Sequence, residues 1–249
     1  MTGPMQDEDR RFVIVGLPRS GTTYLMSLLD SHPEISCSGE VFNPYSVIET
    51  GAADYSPDLL WERDRAPRYF LKAFFQRHAS GPHKRIGFKL MLGHNIRVLT
   101  QLPELSDVTI VYVHRYNRLA QVASYLKAMQ TRNWAQTRRS LGMRKKIEAT
   151  PQQISQHWHD YATMDFLFAQ WLERLPNRKM TVEYREMFQP GFAAQICGFL
   201  GVEPDPCMAS ALVKQGANRV LDRFADPGPI EAYMRHLGRE DWLQDELPA

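Results

Sequence analysis

Fifteen residues near the amino terminus limit what this chain can fold into: Arg11-Phe12-Val13-Ile14-Val15-Gly16-Leu17-Pro18-Arg19-Ser20-Gly21-Thr22-Thr23-Tyr24-Leu25. An apolar, β-branched run ends in a glycine, crosses a short polar loop and enters a helical pattern. Tyr24, Leu25, Leu28 and Leu29 recur at helical spacing, and His32-Pro33 ends the helix. The motif reads as strand, phosphate-cradling loop and helix. Gly16 and Gly21 stand five apart, as the glycines of a P-loop do, but the next residue is Thr22 where a nucleotide triphosphatase carries lysine. A helix starting there points its free N–H groups and its positive dipole end into the loop, so the expected occupant is an anion.

The rest of the chain repeats the alternation. Val108–His114 is a second strong buried-strand pattern and runs straight into Arg115. Further strands are predicted over Glu34–Ser38, Arg85–Leu90 and Lys179–Tyr184. Helices are predicted over Asp58–Ala79 (interrupted at Ala66-Pro67), Asn95–Leu102, Leu119–Met129, Ile154–Leu175 and Phe192–Leu200, with a short one through Met234. Strands alternating with helices predict an α/β fold: a P-loop-like, doubly wound, mostly parallel sheet flanked by helices in a single domain over 11–249, after a flexible arm over 1–10. Ligands of such sheets sit at the carboxyl ends of the strands. That rule gathers the loop after Gly16, Gly39-Glu40, Lys89 and His114-Arg115 on one edge.

Composition narrows the function classes. The hydrophobic fraction of 43% is that of a folded globular protein. With 30 basic and 28 acidic residues the net charge is only +2, which argues against a general nucleic-acid or membrane-surface binder. No run approaches the ~18 apolar residues of a membrane span, and no apolar core of a signal peptide follows the first ten residues. Cys37, Cys197 and Cys207 are odd in number and lack framework or metal-ligand spacing, so reduced thiols, a cytoplasmic location and no metal are expected. One local exception is 132–147, where Arg132, Arg138, Arg139, Arg144, Lys145 and Lys146 fall without an acidic residue. That segment reads as a lid over the donor, a collector of an anionic acceptor, or a solvated loop.

The loop residues Pro18, Arg19, Ser20, Gly21, Thr22 and Thr23 supply amides, hydroxyls and one fixed cation, a set suited to a phosphate. Without the lysine, and with Asp107 preceding its strand rather than ending it, nothing provides a magnesium-assisted grip on a triphosphate. A monophosphate-like or phosphosulfate donor fits better than ATP. Arg115, with Ser124 in the following helix, is a candidate second anion grip. Ser124 alone would read as a helix-surface serine.

Taken together, Val15-Gly16-Leu17-Pro18-Arg19-Ser20-Gly21-Thr22-Thr23-Tyr24-Leu25 and Val111-Tyr112-Val113-His114-Arg115 through Ser124 resemble the sulfotransferases that use 3′-phosphoadenosine 5′-phosphosulfate (PAPS). His32-Pro33, Ser38-Gly39-Glu40-Val41-Phe42 and Gly87-Phe88-Lys89-Leu90-Met91 are most similar to the bacterial carbohydrate branch, which includes nodulation-factor and trehalose sulfotransferases. Thr181-Val182-Glu183-Tyr184 followed by Phe199-Leu200-Gly201-Val202 is similar to a late signature of the family.

The resemblance implies PAPS as donor and 3′-phosphoadenosine 5′-phosphate (PAP) as product, with the first loop on the 5′-phosphosulfate and Arg115 and Ser124 on the 3′-phosphate. Lys214 and Arg219 would reach that phosphate from the tail. Glu40 would be the general base, and Arg19 and Lys89 the clamps on the leaving oxygen, with a hydroxyl of a carbohydrate or other small molecule as acceptor. The chain departs from many members, having no lysine in the first loop and no Lys-Thr-His on the later strand, so the histidine base of the aryl-type enzymes is not carried over. His94 and His114 are rival bases. The aromatic stripe of 158–171 suits core or homodimer packing. A P-loop nucleotide kinase and a non-catalytic PAP-binding or nucleotide-binding protein are the alternative readings.

Overall fold

The structure, a computed structural model, describes residues 10–49, 52–134, 145–212, 214 and 216–248. Most of the predicted arm over 1–10 and of the basic segment over 132–147 therefore lies outside the described residues. Five parallel strands form the sheet: β1 (Arg11–Gly16), β2 (Ile35–Ser38), β5 (Arg85–Met91), β6 (Thr109–His114) and β7 (Lys179–Glu183), in the order β2-β5-β1-β6-β7. The strand pattern with the strongest apolar signal is the central one. Alternation sorts it into two cores: Phe12 and Ile14 pack with Leu25, Leu28, Val111 and Ile196 on one face, while Val13 and Val15 pack with Phe74, Ile110, Val122 and Phe168 on the other.

Helices cover both faces: α1 (Thr22–Asp30) and α7 (Phe192–Leu200) contribute to the first core, and α3 (Pro67–Ala79), α5 (Arg118–Thr131), α6 (Pro151–Glu173) and α8 (Pro227–His236) to the second. The register pairs Gly16 with Met91 on one side and Val113 on the other, so the strands that carry the polar loops end at one level. That level is where the site is built.

Two local features depart from expectation. Between Pro57 and Ala79 the helix breaks at Ala66 into α2 (Pro57–Arg65) and α3, as Ala66-Pro67 implied. Over Asn95–Leu102, however, the predicted helix shrinks to the single turn α4 (Ile96–Leu99), because Pro103 lacks the N–H needed to continue and the chain tightens into a 3-10 turn over Leu102–Glu104. No strand pattern marks the hairpin β3 (Val47–Glu49) and β4 (Ala52–Asp54), whose three-residue strands are too short for alternation to register. Among the described residues no helix is long and apolar enough to cross a membrane. Cys37 and Cys197 are buried free thiols and Cys207 an exposed one. In the stripe of 158–171, Tyr161 and Phe168 are core, whereas Phe166 and Leu167 face outward.

Candidate active site

The loop after β1 is held in an unusual backbone shape. Arg19 has φ 64° and Gly21 φ 107°, both in the left-handed region that disfavours side chains. At Gly21 a Cβ would also meet the Tyr184 ring at 2.5 Å, so glycine is required there on two counts. Arg19 tolerates its strain because three contacts fix it. Its Nε donates to Ser124 Oγ at 2.9 Å, its Nη1 donates to the Trp134 carbonyl, and its own carbonyl accepts from Arg115 Nη1 at 2.8 Å. Helix α1 has no side-chain cap, and its first backbone bond runs from Leu25 N–H to Gly21 O, so the amides before it point into the loop. Burial, then Arg115, lowers the Arg19 guanidinium to about 10, which leaves it charged at neutral pH.

Beside the loop stands an ion pair. Lys89, near the end of β5 and 5% exposed, places its Nζ 2.7 Å from Glu40 Oε1 and 2.7 Å from Thr23 Oγ1. Glu40 follows β2, and its Oε2 accepts from Asn43 Nδ2 at 2.5 Å and lies 3.7 Å from His94 Nε2. Burial pushes the Glu40 carboxyl up, but the charge and hydrogen bond of Lys89, with help from Asn43 and His94, outweigh it and hold the group below its ordinary value. Burial conversely lowers Lys89, against the pull of Glu40. The His94 ring is lowered chiefly by burial, and its Nδ1 is buried without a hydrogen-bond partner.

A second cationic group lies across the loop. Arg115, at the end of β6, stacks 4.3 Å over the Tyr184 ring and meets Glu246 through Nε at 2.6 Å and Nη2 at 2.5 Å. Arg223 reaches the same carboxylate at 2.6 Å and Lys214 at 3.2 Å. Both groups open into one cavity of about 770 Å³ whose lining includes Arg19, Thr23, Glu40, Lys89, Arg115, Ser124, Lys214 and Arg223.

Most of the candidate residues thus converge, and three do not. Ser20 is fully buried and absent from the cavity lining. Its hydroxyl packs over Gly16, where an added Cβ would lie 2.7 Å away, and its amide is spent on the Leu17 carbonyl. Arg219 sits in a bridge with Asp245 and turns outward toward Asp222, its side chain 54% exposed and outside the cavity. His114 is outside the cavity too. Its ring is lowered by burial first and by Arg118 among charges, not by its neighbour Arg115. Pro18 and Gly21 line the cavity as expected, and the buried Thr22 does so while its Oγ1 turns to Met91 Sδ at 3.5 Å. Ser124 is no mere helix-surface serine, since it accepts from Arg19.

Arg223 and Glu246 went unnoticed in the sequence. Arg223 follows the mixed tail from Lys214, and Glu246 is one of several acidic residues near the carboxyl end, with no spacing to mark either. Asp107, the one candidate for a magnesium-holding carboxylate, sits at the opposite end of the sheet, 3.0 Å from Arg11. Among the described residues no group of three or more histidines, cysteines and carboxylates is placed to hold a metal ion.

Comparison with known proteins finds similarity to sulfotransferases. A family model described as the sulfotransferase family matches residues 11–86, the stretch that carries the loop, Glu40 and the start of β5. Nodulation protein H of Rhizobium meliloti (strain 1021) is 29% identical over 126 residues, 49% of this chain and 49% of its own. Nodulation protein H of Rhizobium tropici is 22% identical over 230 residues, 88% of this chain and 80% of its own. The alignments with the Rhizobium meliloti proteins span about half the length of those relatives. These matches make the chain similar to sulfotransferases, with similarity of the nodulation type. A solved sulfotransferase from Alicyclobacillus acidocaldarius is similar over 93% of this chain and 94% of its own, at 17% identity and a TM-score of 0.47.

Proposed function

We propose that this chain transfers the sulfuryl group of PAPS to a hydroxyl of a carbohydrate or related small molecule. The observation that carries the reading is one shared cavity lined by two cationic groups and by the carboxylate of Glu40, which Lys89 holds ionised. Two separated phosphates need two grips. The uncapped start of α1 with Arg19 fits a 5′-phosphosulfate, and Arg115 with Lys214 and Arg223 fits a 3′-phosphate.

PAPS supplies a sulfuryl group on a phosphate leaving group, and the chain's residues supply position and charge. Glu40, held ionised by Lys89, takes the proton of the acceptor hydroxyl as its oxygen bonds to sulfur. The sulfur–oxygen bond to the 5′-phosphate breaks, and its electron pair leaves on PAP. Lys89 touches both Glu40 and Thr23 at the loop, so the same ammonium that steadies the base stands beside the oxygen that gains charge. Arg19 meets that charge from the loop. Neither step calls on a metal ion.

The acceptor side is formed by the hairpin missed in the sequence. Tyr45, 81% exposed, and Tyr55 stand at the cavity with Ser46 and Ile48, and aromatic faces beside hydroxyls and a base suit a sugar ring. A homodimer, if formed, would use the outward Phe166 and Leu167 of α6. The test is transfer of radiolabelled sulfate from PAPS to a panel of sugar hydroxyls, with calorimetry of PAP in parallel. Transfer that disappears in Arg19→Ala supports the reading. PAP binding with no transfer to any acceptor points to a binding protein, and no PAP binding refutes the donor.

A further inference from the structure

Glu246 has no role in the chemistry above, yet it is the most tightly surrounded carboxylate described in the molecule. It is 1% exposed and pairs with three cations from two distant parts of the chain: Arg115 at the end of β6, and Lys214 and Arg223 in the carboxyl-terminal segment. All three cations line the cavity and Glu246 does not. It therefore sits behind them rather than in the place of a ligand. The tail that carries it is pinned as well, since Glu246 N–H donates to the Asn218 carbonyl at 3.1 Å and Arg185 Nε donates to the Glu246 carbonyl at 2.7 Å.

We propose that Glu246 is a positioning residue of the second anion site, tying Arg115, Lys214 and Arg223 into one cluster that receives a phosphomonoester dianion. This rests on the two-phosphate reading of the cavity. The donor inventory supports it. A guanidinium has five N–H donors. Arg115 commits Nε and Nη2 to Glu246 and Nη1 to the Arg19 carbonyl, leaving two N–H groups without a described partner. Arg223 commits Nε to the Ala217 carbonyl, Nη1 to the Ala120 carbonyl and Nη2 to Glu246, leaving two more. Lys214 commits donors to Asn218 and Glu246.

Charge points the same way. Three cations against one carboxylate leave two positive charges uncompensated, matched to a phosphomonoester of about −1.5 to −2 at neutral pH. Simple Coulomb attraction argues that deleting the carboxylate should tighten phosphate binding. Two effects oppose it. The three cations would repel one another with nothing to hold their geometry, and Lys214, already lowered to about 8, would shed its proton and cancel the gained charge. The net result is lost geometry without extra charge.

The experiment is calorimetry of PAP and of adenosine 5′-phosphate, which lacks the 3′-phosphate, against wild type, Glu246→Gln and Glu246→Asp. Wild type is expected to prefer PAP. Glu246→Gln should weaken PAP about tenfold, the equivalent of one hydrogen bond to a charged group, and leave adenosine 5′-phosphate within about twofold. Glu246→Asp keeps the charge on a shorter arm and should retain more of the preference than the isosteric Gln. That order is the reverse of what a space-filling role gives. PAP binding unchanged or tighter in Glu246→Gln overturns the proposal, as does an equal loss of both ligands in both variants. If Glu246→Gln does not fold, Glu246→Asp decides by the same comparison of the two ligands. Wild type that binds both ligands equally overturns the two-phosphate reading itself, and this proposal with it.

Discussion

Changing Glu40 to glutamine separates a base from a brace. The substitution keeps size and an oxygen for Lys89 at 2.7 Å, but removes the charge and the basic site. If Glu40 takes the acceptor proton, kcat should fall by about 10² to 10⁴, the usual worth of a positioned base, or about 3–6 kcal/mol of barrier at ~1.4 kcal/mol per tenfold. If it only braces Lys89, a buried ammonium loses its counter-ion. The damage should then appear as lost stability of about 3–5 kcal/mol and weakened PAP binding. We expect the first outcome, because Glu40 faces the cavity, while Lys89 keeps a hydrogen bond to Thr23 Oγ1. The assay is single-turnover sulfate transfer from PAPS, with calorimetry of PAP and a thermal melt on the same samples. The expected pattern is a collapse in kcat with PAP affinity within about twofold. Wild type should also hold its rate on the acid side below the ordinary carboxylate range, since Lys89 keeps Glu40 ionised there. A kcat within about threefold of wild type in Glu40→Gln would refute the assignment.

Three further outcomes follow from the geometry. Arg223→Met should weaken PAP by about tenfold or more while sparing adenosine 5′-phosphate, as calorimetry of both ligands would read. Glu246 is lowered from 4.5 to about 2, so its pairing contributes about 3 kcal/mol that is present above about pH 4.5 and lost as pH falls toward 2. Acid unfolding should accordingly be shallower over that range in Glu246→Gln than in wild type, and parallel curves would show that the pairing adds nothing. Activity should survive EDTA undiminished and gain nothing from added magnesium, because on the proposed mechanism Arg19 and Lys89 meet the leaving charge. A metal requirement would reassign that task.

Much of the fold was legible because parallel strands buried on both faces write themselves as unbroken apolar runs. Phe12–Gly16 and Val108–His114 are the centre of the sheet for that reason. The carboxyl-edge rule gathers Arg19, Glu40, Lys89 and Arg115 on one edge from the strand ends alone. Features set by long-range contact were not legible. The hairpin over Val47–Asp54 is too short to show a period. Arg219 and Arg223 are both tail arginines with nothing in the sequence to tell them apart, and the bridge to Asp245 accompanies the outward turn of the first. Ser20 looked like a ligand of the loop because its hydroxyl is chemically able. The backbone turn that buries it is a property of Arg19 and Gly21, not of serine.

The loop and the far cluster share a wall. The Tyr184 ring blocks any side chain at Gly21 and carries the Arg115 guanidinium on its face, while Arg115 bonds the carbonyl of Arg19. On the proposed two-phosphate reading, one ring and one hydrogen bond would set the spacing between the two grips. A cavity so built would measure its donor as calipers do. A nucleotide with all its phosphates at one end would fill a single jaw, however strong its charge, and selection against ADP or ATP would then need no steric gate.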